Sequence, residues 1–192
     1  MSRETFLAAV RKAKVPEKPM PDLASLPKQR FDDPLATFQS VLEFVGGRFE
    51  RVASVDEIRA RITGHGIVLD HTANGGKIET QTDPSQVNPH ENKGIDLLIF
   101  NGVVAVAESA AIWVTDKQVK DPASLFLAQH MAIAIREEDL VHNLHEAYEK
   151  LATQPVPRFG VFISGPSKTA DIEQCLVIGA HGARSLTIFL VG

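Results

Sequence analysis

A chain of 192 residues, 44% hydrophobic and 23% charged, has the composition of an ordinary globular protein, long enough for one well-buried α/β domain and short for two. Its formal net charge of -4 gives no electrostatic footprint for nucleic acid or an anionic membrane, and no run approaches the roughly 20 apolar residues of a membrane span. The single cysteine, Cys175, excludes an internal disulfide and fits a reducing compartment. The opening stretch lacks an apolar core followed by a cleavage site, so no secretory signal is expected and the chain is placed in the cytoplasm.

Ser2, followed by Phe6, Leu7 and Val10, predicts a short capped amphipathic helix ended by Pro16. Five prolines between Val15 and Pro34 remove backbone donors that a helix or central strand requires, so this stretch reads as an extended linker. Residues 1–34 are therefore an arm, and 35–192 a single domain. Phe38, Val41, Leu42 and Val45 recur at helical spacing before a Gly46-Gly47 stop. Phe49 to Ala53 is a strand, Ser54 caps a helix to Ile62 with Glu57 completing a capping box, and Ile67 to Leu69 closes a βαβ unit.

Residues 71–93 are polar with little periodicity and read as a long loop or flap. Ile95 to Phe100 and Val103 to Val106 flank Asn101-Gly102, which predicts a tight hairpin, and Ile112 to Val114 is a further strand piece. Leu125 to Leu127 and Met131 to Ile135 are strand-like, and Glu137 to Leu151 carries a helical apolar stripe. Phe159 to Ile163 and Leu186 to Val191 are the last strands. The alternation of strands and helices predicts an α/β fold with a mixed, mostly parallel sheet flanked by helices and an antiparallel hairpin portion.

The chemistry-bearing residues concentrate near the C-terminus. Ser164-Gly165-Pro166-Ser167-Lys168-Thr169 forms a polar turn after a strand, read as leading into a short helix. Gly165 permits close backbone approach, Ser164, Ser167 and Thr169 offer hydroxyls, and Lys168 can hold a carboxylate or phosphate. A cap and a solvated lysine would give the same pattern. Asp171 and Glu173 suit the first turn of such a helix and could also orient Lys168. A second turn, Gly179-Ala180-His181-Gly182-Ala183-Arg184, adds His181 beside Gly182 and an anion-capable Arg184. Cys175, at helical spacing with Ile172 and Leu176, reads as a small buried apolar residue.

Glu108 ends a strand before Ser109, where a carboxylate is conspicuous and is ordinarily a strand-end acid in solvent. His142, His145 and Glu146 lie at surface-helix spacing, His65, His71 and His90 are scattered in loops, and no HExxH pattern occurs, so no metal is assigned. The Walker, dinucleotide and nucleophile-elbow patterns are missing. A single cysteine cannot supply the four thiolates of an iron–sulfur cluster.

Ser164-Gly165-Pro166-Ser167-Lys168-Thr169-Ala170-Asp171-Ile172-Glu173, followed by Gly179-Ala180-His181-Gly182, resembles the C-terminal motif of the LUD-domain family, of the lactate utilization protein C type. The order of elements from about Phe38 onward agrees. The resemblance implies a fold similar to the NagB/RpiA/CoA-transferase group and a part in oxidation of L-lactate to pyruvate beside iron–sulfur partner subunits, with no cofactor bound by this chain alone. It also makes the two polar turns a joint site for a small anionic ligand. By comparison with CoA-transferases, Glu108 looks like a counterpart of a catalytic glutamate. The chain departs from the family pattern at Ala183, commonly proline, and at Ser109-Ala110-Ala111, usually a Gly-Thr pair. A self-sufficient CoA-transferase, isomerase or ligase, and a non-catalytic assembly subunit, remain alternatives.

Overall fold

The computed structural model describes residues 2–13, 18–19, 27–72, 94–119, 121–172 and 175–192, with backbone alone at 170–172 and 175. Helix α1 (Arg3–Lys12) starts at Ser2, whose hydroxyl accepts the Thr5 N–H, and has no buried residue. Helix α2 (Pro34–Phe44) begins with proline at its first position and Asp33 as cap, and buries Phe38 and Leu42. Strand β1 (Arg48–Val52) leads to α3 (Val55–Arg61). The capping box is present: Ser54 accepts the Glu57 N–H at 3.3 Å, and Glu57 reaches back to the Ala53 N–H at 2.7 Å.

Strands β1, β2 (Ile67–Asp70), β3 (Ile95–Asn101), β6 (His130–Arg136) and β11 (Ser185–Val191) form one sheet in the order β1-β11-β6-β3-β2, parallel throughout. The unit β1-α3-β2 therefore spans the whole sheet, its two strands lying at opposite edges. Such strands are covered on both faces, which explains the near-continuous apolar runs of β3 and β6. On one face Ile58 of α3 packs with Leu97, Ile99, Ala132, Ala134 and Phe189.

The other face supports the main core. Leu98, Phe100, Ile133, Leu186 and Ile188 meet Phe38 and Leu42 of α2 and the inner residues of a second sheet. That sheet is β7-β4-β5-β8, built from β4 (Val104–Val106), β5 (Ala111–Thr115), β7 (Leu140–Val141) and β8 (Gly160–Ile163). Its β4-β5 and β5-β8 pairs are antiparallel. Its outer face takes α5 (Leu144–Ala152) through Val104, Val106 and Ala147. The layers thus run α3, parallel sheet, second sheet, α5. The expected α/β class holds, with the antiparallel portion forming a separate sheet.

Five local expectations are corrected. Asn101-Gly102 does not turn a hairpin: β3 and β4 belong to different sheets, and the chain crosses between them at Gly102. The Gly102 N–H bonds the Ala134 carbonyl at 2.8 Å, and a Cβ there would lie 2.5 Å from Ile112 Cγ2. Leu125 to Leu127 is helical, in α4 (Ser124–Leu127), rather than extended. The helix expected from Glu137 starts only at Leu144, because Asn143 accepts the Glu146 N–H at 3.0 Å and ends the preceding turn and strand β7.

The fourth and fifth corrections concern the C-terminal motif. Residues 168–172 form strand β9 (Lys168–Ile172), paired antiparallel with β10 (Cys175–Ile178), where a helix was expected. Thr169, Ile172, Val177 and Ile178 are β-branched and favour a strand, which outweighs the caplike Ser-x-x-acid spacing. Cys175 likewise opens a strand. The loop read over 71–93 lies outside the described residues beyond Thr72.

The end of the proline-rich arm packs on the domain itself. Arg30 pairs with Glu146 at 2.9 Å, Lys28 pairs with Glu149, and Asn143 donates to the Gln29 carbonyl at 2.7 Å.

Candidate functional site

Strand β8 delivers residues 164–167 to the edge where the β4-β5 turn and the chain before β11 also arrive. The Ser164 hydroxyl donates to the Ser109 carbonyl at 2.7 Å. Gly165 has φ +70 and is buried, and a Cβ there would sit 2.9 Å from both Val45 Cγ2 and the Val45 carbonyl oxygen. Only glycine lets this turn lie against the end of α2. Lys168 Nζ lies beside Gly46, 3.6 Å from where a Cβ on that glycine would stand.

The two C-terminal turns are joined. The Ser167 N–H donates to Ala183 and the Gly179 N–H donates to Ser167, both at 2.9 Å, while the Arg184 N–H bonds the Gln129 carbonyl at 2.7 Å. Gly182 faces Ser167 so closely that a Cβ would lie 3.1 Å from Ser167 Cβ. Between the turns is a pocket of about 460 Å³. Ser164, Gly165, Ser167, Lys168, His181 and Gly182 line it on one side, and Val45, Leu125, Phe126, Met131 and Phe162 give it apolar walls. Ala183, where the family pattern commonly has proline, also lines it.

Six of the expected residues thus share one cavity. Thr169 and Arg184 lie outside its lining, Thr169 being paired with Val177 in the β9-β10 ladder. The Asp171 side chain and all of Glu173 are outside the described residues. Because 168–172 is a strand, no helix dipole assists anion binding here; the donors are Lys168 and the Ser167 hydroxyl, the Ser164 hydroxyl being given to the Ser109 carbonyl. Among the described residues neither Lys168 nor Arg184 has an ion-pair partner. An unpaired ammonium beside hydroxyls in an apolar pocket can hold a carboxylate or phosphate.

Glu108 sits in the β4-β5 turn next to Ser109, yet it is not among the residues lining the pocket. Its Oε1 accepts the Leu144 N–H at 2.7 Å, at the start of α5. In the same turn Ala110 holds φ +50, a left-handed conformation that favours glycine. His142 and Glu146 are also committed: His142 Nδ1 accepts the Phe31 N–H at 3.1 Å, and Glu146 accepts the His142 N–H at 3.0 Å.

One grouping escapes a linear reading. His65, Asp96 and His130 come together at the first residues of β3 and β6 and just before β2. Their separation along the chain leaves no local motif, and the only sequence cue was an acid within the apolar run of β3.

A family profile for the LUD domain matches residues 48–191, three quarters of the chain. An uncharacterized protein of Neisseria meningitidis is 37% identical over 75 residues, 38% of this chain and 32% of its own length. Lactate utilization protein C of Deinococcus radiodurans is 31% identical over 101 residues, 50% of this chain and 47% of the relative. The protein of that name from Anoxybacillus flavithermus is 28% identical over 88 residues, 46% and 40% of the two chains. The matched region thus spans less than half the length of each of these relatives. The crystal structure of a DUF162 family protein from Deinococcus radiodurans superposes with a TM-score of 0.60 at 17% identity, covering 86% of this chain and 100% of the other, which establishes a shared fold. No described helix is long and apolar enough to cross a membrane.

Proposed function

The chain belongs to the LUD domain family, and we propose that it serves L-lactate utilization in the cytoplasm as a subunit that holds a small anionic ligand between its two C-terminal turns. The similarity to two proteins named lactate utilization protein C carries the pathway assignment. The pocket that gathers Ser164, Ser167, Lys168 and His181 supports the ligand class. Oxidation of L-lactate to pyruvate releases two electrons and two protons, and a chain with one cysteine cannot hold the four-thiolate cluster that would accept them. Iron–sulfur partner subunits therefore carry the electrons in this proposal.

Within the pocket, Lys168 neutralises the carboxylate, the Ser167 hydroxyl donates to its oxygens, and the walls from Val45, Leu125 and Met131 face the carbon chain. At about 460 Å³ the cavity is several times the volume of a three-carbon acid. Lactate or pyruvate would share it with water or with a longer molecule. The bond from Leu144 to Glu108 supports a positioning role for that carboxylate at the head of α5, not covalent catalysis.

Titration calorimetry of the full chain with L-lactate and with pyruvate tests the ligand class. Binding is expected, and Lys168→Ala should weaken it about tenfold, the scale of one charged hydrogen bond. Equal affinity in the variant removes Lys168 from the site, and heat-silent titrations with both acids overturn the ligand assignment.

A further inference from the structure

We propose that His65, Asp96 and His130 form a binding site for a borderline divalent transition-metal cation such as Zn²⁺ or Co²⁺, on the opposite face of the parallel sheet from the pocket. One nitrogen or oxygen from each residue lies within 4.8 Å of the others. His65 Nδ1 stands 3.2 Å from Asp96 Oδ2, and His130 Nε2 stands 3.8 Å from Asp96 Oδ1. The two rings meet edge-on, their centroids 5.2 Å apart.

The backbone is arranged around this grouping. In the β2-β3 ladder Ile67 pairs with Ile95 and Val68 with Leu97, so Asp96 is the extra residue of a bulge. Its neighbours Ile95 and Leu97 are buried, and the bulge turns the carboxylate out of the ladder toward the histidines. The Gly66 N–H donates to Asp96 Oδ2 at 2.8 Å and fixes that oxygen. Ser185 Oγ lies 2.8 Å from His130 Nδ1, holding the ring so that Nε2 faces Asp96. A partner on the second ring nitrogen is the usual support of a metal-binding histidine.

Two imidazoles and a carboxylate suit zinc, cobalt or nickel better than magnesium or calcium. Three protein ligands leave a coordination position for water or a substrate oxygen. The three side chains are 28%, 31% and 33% exposed, so an ion can enter from solvent. Strand alternation keeps this site apart from the pocket. Ala132 and Ala134, on the same side of β6 as His130, pack toward α3, whereas Met131 lines the pocket.

The test is calorimetric titration of the metal-stripped full chain with Zn²⁺, with visible absorption of Co²⁺ as a second readout. One equivalent should bind, and Asp96→Asn and His130→Ala should each weaken it tenfold or more. Ser185→Ala, which keeps all three ligands, should weaken it about tenfold. His145→Ala, at an exposed position of α5, should bind as the wild type does. Absence of uptake by the wild type overturns the site, as does equal uptake by the wild type, Asp96→Asn and Ser185→Ala. Asp96→Asn and Ser185→Ala leave the apolar core intact, so the outcome stands even where His130→Ala fails to fold.

Discussion

Ser167 is held by the second C-terminal turn at both of its backbone groups: its N–H bonds the Ala183 carbonyl and its carbonyl accepts the Gly179 N–H, each at 2.9 Å. The relationship makes two separate polar turns into one wall of a pocket. It also accounts for the tolerance of alanine at 183, since the contact uses that residue's carbonyl, which proline equally possesses.

Gly165 should be far less replaceable than Gly64. Both have positive φ, +70 and +81, so alanine at either costs about 1 kcal/mol or more. At Gly64 nothing lies within 4 Å of a new Cβ, whereas at Gly165 it meets a backbone carbonyl oxygen at 2.9 Å. Thermal unfolding of Gly165→Ala should show a loss larger by about 1 to 3 kcal/mol, with pocket affinity falling alongside.

Glu108 can be separated from catalysis by two substitutions. Glu108→Ala leaves the partly buried Leu144 N–H without its acceptor and should cost about 1 to 3 kcal/mol. Glu108→Gln keeps an amide oxygen in reach and should retain most stability and all ligand binding. Denaturant unfolding with parallel calorimetry checks both; a Gln variant that folds normally but loses activity would restore the catalytic reading.

Asp70 carries a buried charge. Its side chain has no exposed surface and accepts from Arg59 Nε at 2.7 Å and from the Thr72 N–H at 2.8 Å. Asp70→Ala removes the buried partner of Arg59, which keeps Asp56 at 2.5 Å on its solvent side, and should cost about 1 to 3 kcal/mol in chemical denaturation.

The capping box of α3 predicts an acid limb. The Ala53 N–H, and after it Arg61, hold the Glu57 carboxyl below its ordinary value. A depressed folded value means stability that is full above the unfolded pKa of about 4.3 and is lost as pH falls through the folded one. Stability measured from pH 6 down to 2 should fall more shallowly in Glu57→Gln than in the wild type; parallel curves would remove Glu57 from the acid response.

Local, self-contained signals were legible in the chain. The Ser54 and Glu57 box and the apolar runs of β3 and β6 each act within a few residues and appear as read, whereas Pro34, read as the end of the linker, heads α2. Tertiary partners decided the rest. Lys168–Ile172 satisfies its backbone with Cys175–Ile178, so a cap-like spacing became a strand. Asn101-Gly102 has hairpin chemistry, but β3 already pairs with β6 as far as Asn101. For the site, the clustering of Ser164 to Lys168 with His181 and Gly182 was legible because both turns lie close in sequence. The trio of His65, Asp96 and His130 was not, since only a sheet register brings it together.

Growth on L-lactate tests the central claim most directly. A strain lacking this gene should lose growth on L-lactate as sole carbon source, recover it with the wild-type gene, and recover it poorly with Lys168→Ala expressed at the same level. Undiminished growth of the deletion strain on L-lactate would contradict the account.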